Sequence, residues 1–250
     1  MKPTVVLRGA ALIFASLVAA VAVAQEHIRP IGVVELFTSQ GCSSCPPADK
    51  MLAELVAGGD VVALGYHVDY WDYLGWRDTL ARPENTKRQY LYGKQFGSGS
   101  VYTPQAVVNG RAHFNGADRE AVTGALKKLD AEGQGMTVEI SARRVGDAMV
   151  IEAGASPGGA GKANLVLVNF QGTIPVTIER GENKGTAMTY VNAVSNLQVV
   201  GMWHGAAKRY ELPASAFPAD GWALLLQQSK GNGVPGPILG AICARSVASR

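Results

Sequence analysis

The 250-residue chain carries 23 Lys and Arg against 20 Asp and Glu, a formal charge of +3, with 47% hydrophobic residues. That near balance excludes an electrostatic grip on nucleic acid, which needs a basic surface. The length allows one large or two modest domains with real cores, and three cysteines do not make a disulfide scaffold.

Residues 1–24 read as a secretory signal. Lys2 and Arg8 give a positive start, Ala10 to Val23 an apolar stretch, and Ala22-Val23-Ala24 an A-x-A cleavage site before Gln25. Val5 to Ala24 is nearly long enough to span a membrane, but the small residues at its end favour cleavage. The mature chain is therefore expected to begin at Gln25, periplasmic or secreted, with no membrane attachment and a formal charge near +1. Cleavage there would expose Gln25-Glu26-His27, whose amine, amides and imidazole suit a square-planar metal ion unless the glutamine cyclises.

Ile31 to Phe37 is an apolar run that reads as a first strand, and it gives way to Cys42-Ser43-Ser44-Cys45 at the start of a helical pattern. At a helix start the first sulfur meets unpaired backbone N–H groups and the positive end of the helix dipole, which favours thiolate. Cys42 is the candidate nucleophile, and Cys45, one turn on, is placed to resolve its mixed disulfides. Three other readings stay open. A zinc knuckle lacks its second pair, since Cys243 alone remains; a copper or zinc carrier would join the pair to His67 or His113; an inert staple over so short a loop stabilises little. The spacing requires neither a metal nor another cofactor.

Ala48, Met51, Leu52, Leu55 and Val56 repeat at helical spacing up to Gly58-Gly59, and Val61 to Tyr66 is a second strand. Strand, helix and strand with short links predict a right-handed parallel βαβ unit. Pro83 starts a helix through about Phe96, with Tyr90 and Leu91 on its inner side. Gln105 to Val108 and Ala112 to Phe114 are strands joined by an Asn109-Gly110 hairpin turn. Asp118 caps a last helix carrying Val122, Ala125, Leu126 and Leu129. The order βαβ, helix, ββα places the cysteines at the carboxyl end of the first strand, where ligand sites of open α/β sheets lie.

Beyond Met136 the pattern turns to short runs: Thr137 to Ala142, Ala148 to Ala153, Ala163 to Phe170, Ile174 to Ile178, Ala187 to Ala193, Gln198 to Trp203, Arg209 to Leu212, Trp222 to Gln227 and Ile238 to Cys243. Many short strands between Gly, Pro and Asn turns predict a β-sandwich of about seven to nine strands. Arg180-Gly181-Glu182-Asn183-Lys184-Gly185 reads as a hairpin turn with solvated charges, and Cys243 as a small buried hydrophobe. After the second strand, His67, Asp69, Trp71, Asp72, Tyr73 and Trp76 interleave polar groups with large aromatics. They are candidates for a substrate-facing wall, with His67 and Asp69 on one strand face where they could pair or bind metal, against a packed aromatic loop.

This arrangement resembles the thioredoxin superfamily. The stretches Val34-Glu35-Leu36-Phe37-Thr38-Ser39-Gln40-Gly41-Cys42-Ser43-Ser44-Cys45-Pro46-Pro47-Ala48-Asp49 and Tyr66-His67-Val68-Asp69-Tyr70-Trp71-Asp72 are similar to those of an exported family without settled activity, DUF1223, as are Tyr102-Thr103-Pro104-Gln105 and Arg180-Gly181-Glu182-Asn183. The resemblance implies a thioredoxin-like domain at residues 28–133, followed by the all-β sandwich-like domain at 136–245. It also implies a cis peptide at Thr103-Pro104 that holds substrate backbone beside the cysteines, and an acid, Glu35, that exchanges a proton with Cys45. The expected function is thiol-disulfide exchange with protein or peptide partners and an unidentified redox partner. A metal carrier and a non-catalytic binding module are the alternatives.

Overall fold

The computed structural model describes residues 29–159 and 161–245. The expected signal, its cleavage site and Gln25-Glu26-His27 lie outside the described residues.

β1 (Gly32–Thr38) and β2 (Val61–His67) are parallel neighbours, in register from Gly32↔Val61 to Thr38↔His67, and α1 (Pro46–Gly58) connects them. Both strands are buried throughout, which is why they read as continuous apolar runs. α1 ends at Gly59, whose φ of 80° allows its amide to reach Leu55 O.

α2 (Pro83–Phe96) has the expected start and end but presents another face. Its buried residues are Asn85, Gln89, Tyr92 and Gly93, while Tyr90 is 52% exposed. The inner side is polar because it seals loop backbone: Asn85 donates to His67 O, and Gln89 to Tyr102 O and to Gln105 Oε1. Hydrophobicity alone points to the wrong face where a helix satisfies buried carbonyls.

β3 (Gln105–Val108) runs antiparallel to β1 and pairs with β4 (Ala112–Asn115). Asn109 and Gly110 take φ of 49° and 62°, as their dipeptide predicts, but pairing resumes at Val108↔Ala112, so Arg111 joins the turn. α3 (Arg119–Ala131) is capped by Asp118, whose side chain accepts the Ala121 amide at 2.9 Å.

The second half supplies β5 (Ile140–Val145), β6 (Ala148–Ala153), β7 (Ala163–Thr177), β8 (Ala187–Trp203), β9 (Lys208–Pro213), β10 (Gly221–Ser229) and β11 (Pro235–Arg245). Two pairs of predicted short strands are continuous, as β7 and β8. The architecture is mixed α/β, and strands of the second half continue the sheet of the first. A mixed eight-stranded sheet has the order β11-β10-β7-β8-β2-β1-β3-β4, and a three-stranded sheet has the order β5-β6-β9. The two parts of the large sheet meet at the parallel Gly65↔Ala193 pair. Alternation identifies strands but not their neighbours, so the continuation was not visible in the runs.

One core cluster spans both halves, with Val33, Phe37, Tyr66 and Tyr92 against Val168, Phe170, Leu225 and Ile238. A second lies between the two sheets, where Ile140, Met149 and Ile151 meet Leu165, Leu167, Trp203 and Leu224. Cys243, opposite Ala223 on β11, is half-buried against the first cluster.

Candidate dithiol site

Cys42 and Cys45 form a disulfide with Cα atoms 5.4 Å apart. They are 2% and 0% exposed. Cys45 is the N-cap of α1 and its carbonyl accepts the amides of Ala48 and Asp49. Pro46 and Pro47 occupy the first helical positions, where they remove two of the N–H groups that a thiolate would meet at a helix start. The helix dipole remains, but the donor set expected from the C-x-x-C spacing is reduced.

The loop before Cys42 is held from three sides. Gln40 is fully buried. Its amide nitrogen donates to Asp78 Oδ2 at 2.8 Å, its Nε2 donates to Thr79 Oγ1, and its Oε1 accepts Trp76 Nε1 and the Thr79 amide. From the other half of the chain, Asn183 Nδ2 donates to Gln40 O and to Cys42 O, 2.9 Å each. The charges of that turn, Arg180, Glu182 and Lys184, are exposed as expected, while Asn183 between them is half-buried and grips the dithiol loop.

The Thr103-Pro104 peptide is cis, as the resemblance implies. A Cβ added to Gly116 would lie 3.1 Å from Ala48 Cβ and 3.3 Å from Pro104 Cβ, so the missing side chain lets Pro104 approach the first turn of α1. Trp71 Nε1 donates to Thr103 Oγ1 at 2.8 Å. Two expected substrate-facing segments are thus joined.

Glu35 does not face Cys45. Val34 and Leu36 pack with Ala48, Met51 and Leu52 of α1, and strand alternation turns Glu35 to the opposite side of the sheet. There it accepts Arg88 Nε at 2.7 Å and the Tyr92 hydroxyl, with Gln227 Oε1 accepting Arg88 at 2.8 Å and Gln227 Nε2 donating to Tyr92 at 2.8 Å. Burial works against the Arg88 charge, but Glu35 together with Tyr92 and Tyr66 raises the guanidinium pKa. Glu35 belongs to a buried ion pair that ties β1 and α2 to β10.

The acid on the dithiol side is Asp49, in the turn of α1 that follows Cys45. It is 5% exposed and its Oδ2 has no hydrogen-bond partner. Burial pushes its pKa up to about 7, with His67 pulling the other way. His67 Nδ1 meets Asp78 Oδ2 at 2.8 Å rather than pairing with Asp69, which accepts the Thr86 hydroxyl at 2.7 Å. Burial opposes a charge on His67, yet Asp78 overcomes it and the imidazole pKa rises. Burial likewise raises Asp78, but His67 and the Gln40 and Leu80 amides bring it below the ordinary value.

Asp49, Gln40, Asp78 and Asn183 join the site only in the folded chain. Only Asp49 carries a local signal, an acid at the edge of the apolar stripe of α1, on the side of Leu52 and Val56. Among the described residues no group of three or more His, Cys, Asp or Glu is gathered as for a metal ion. His113 lies against Phe96 and Tyr102. No helix among them is long and apolar enough to cross a membrane.

A crystal structure of a structural genomics target from Agrobacterium tumefaciens is 44% identical, with a TM-score of 0.80 over 91% of this chain and 98% of that one. HBP35 of Porphyromonas gingivalis shares the fold at 13% identity, with a TM-score of 0.61 over 90% of this chain and 79% of that one. No curated protein sequence matches. The profile described as "Protein of unknown function (DUF1223)" matches residues 33–227, and the chain belongs to that family.

Proposed function

We propose that this protein is an exported, thioredoxin-like thiol-disulfide oxidoreductase acting on protein or peptide partners through Cys42 and Cys45. The observation that carries the reading is the closed Cys42–Cys45 disulfide at the N-terminus of α1, directly after β1. The nearby Pro104, and Trp71 joined to Thr103, support a substrate-holding role for that side. In the oxidised state a partner thiolate attacks Cys42 Sγ, the Cys42–Cys45 bond breaks, and Cys45 leaves with the electron pair and takes up a proton. A second partner thiol then displaces Cys42, so two electrons pass and the partner leaves as a disulfide. The reverse sequence oxidises the pair.

The test is trapping in vivo with Cys45→Ser, which leaves Cys42 tethered to its partners. Covalent adducts that run apart on non-reducing gels and vanish in Cys42→Ser are expected. A folded, exported Cys45→Ser protein without such adducts defeats the reading.

A further inference from the structure

The outer parts of β7 and β8 form an arm that reaches back to the dithiol loop. β10 flanks β7 as far as the Trp222↔Asn169 pair, and β2 meets β8 at Gly65↔Ala193. Farther out the two strands pair with each other, from Gln171↔Ala193 to Thr177↔Ala187. A two-stranded ribbon is marginally stable by itself, so the arm depends on what it touches.

Tyr190 packs edge-on against His67, with ring centroids 4.7 Å apart. At the tip, Gly181 has φ of 77°, and a Cβ there would lie 3.2 Å from Trp76 Cβ. Trp76 is itself tied to Gln40. Asn183 then fastens the carbonyls on both sides of Gly41, while its neighbours Glu179, Arg180, Glu182 and Lys184 are exposed. With the arm in this position, the sulfur that an incoming thiolate must reach belongs to a residue 2% exposed.

We infer that the arm tip is a gate on the dithiol and that Asn183 is its fastening. The inference rests on the exchange reading of Cys42 and Cys45, and adds which part of the chain admits the partner. Releasing Asn183 exchanges two neutral hydrogen bonds for bonds to water, a small net loss, while the fully buried Ile178 and the packed Tyr190 keep the root of the arm in place, so what opens during a reaction cycle is the tip around Asn183.

The test is the rate at which dithiothreitol reduces the purified oxidised protein, read by acid quench and alkylation of released thiols. The reductant thiolate attacks Cys42 Sγ and expels Cys45, and its second thiol displaces Cys42 as the reductant's own disulfide closes. Asn183→Ala is expected to raise the second-order rate constant about tenfold, the equivalent of losing one or two net hydrogen bonds. Asn183→Asp, which sets a carboxylate against two carbonyls, is expected to raise it at least as much. Ile151→Ala, a cavity in the core between the sheets, controls for general loosening and is expected to stay within about twofold of wild type.

An acceleration below about threefold in both Asn183 variants, or an equal acceleration in Ile151→Ala, overturns the gate. Failure of the two readings is distinguishable. Accelerated reduction without Cys42 adducts in vivo defeats the exchange reading alone, and adducts with an unchanged reduction rate defeat the gate alone.

Discussion

His67 Nδ1 and Asp78 Oδ2 meet at 2.8 Å with both side chains shut away from solvent, and the same carboxylate oxygen accepts the Gln40 amide two residues before Cys42. The end of β2 is thereby connected to the dithiol loop through one ion pair. Removing one member of a buried pair leaves the other charge uncompensated, at a cost of about 3–5 kcal/mol. His67→Ala is expected to lose that much in urea unfolding at pH 7. A loss below about 1 kcal/mol, typical of an exposed pair, would show that the pair holds nothing.

Asp49 makes stability fall as pH rises. Its folded pKa of about 7 lies above its ordinary 3.8, so between these values the native state binds the proton that the unfolded chain has lost. The slope of unfolding free energy with pH is then negative. His67, raised above 6.5, adds a loss of stability that begins where its unfolded form deprotonates and ends above its folded pKa. Asp49→Asn is expected to flatten the decline between about pH 4 and 7 and, because Asp49 is one of the charges that raise His67, to shrink the later His67 part as well. At pH 8 the variant should exceed wild type by a few kcal/mol, at about 1.4 per pKa unit. Thermal or urea unfolding across pH 4 to 8 checks this, and parallel curves for the two proteins would contradict it.

Glu35 and Arg88 are expected to behave as structure rather than as proton-transfer groups. Glu35→Ala leaves Arg88, whose side chain is 11% exposed, without its counter-charge and should cost about 3–5 kcal/mol. Glu35→Leu with Arg88→Met removes both charges and is expected to recover much of that loss. A double-mutant cycle on urea midpoints measures the coupling.

Pro47→Ala restores an N–H at the second helical position, where an N-cap side chain finds its donor. Cys45 is that N-cap, so the substitution should stabilise its thiolate and make the disulfide more oxidising by about 10–30 mV. Equilibration with a glutathione buffer reads the shift. A move in the opposite direction would show that proline's missing donor is not what sets the thiolate's environment.

Much of the first half was legible in the sequence for local reasons. Buried parallel strands are apolar runs, α1 has a periodic stripe, Asp118 is a cap, and Asn109-Gly110 takes the positive φ values of its turn. The failures have a common cause. Tyr90 points to the wrong face of α2 because the buried face is polar, and the sequence does not show which side of the sheet Glu35 takes because its partners, Arg88 and Tyr92, and Gln227 behind them, come from distant parts of the chain. Asn183 carries no local sign of its role because the carbonyls it grips lie more than a hundred residues earlier.

By itself the sequence determined the C-x-x-C pair, its position between a strand and a helix, the αβ order of the first half and the strand-rich character of the second. These depend on spacing, periodicity and turn chemistry, which act over a few residues. The tertiary structure alone decided that the strands of the second half continue the first sheet, that Asp49 and Asp78 rather than Glu35 are the buried acids on the dithiol side, and that Asn183 bonds the carbonyls of Gln40 and Cys42. Each of these depends on strand pairing or on hydrogen bonds between residues far apart in the chain, and local pattern carries no record of such partners.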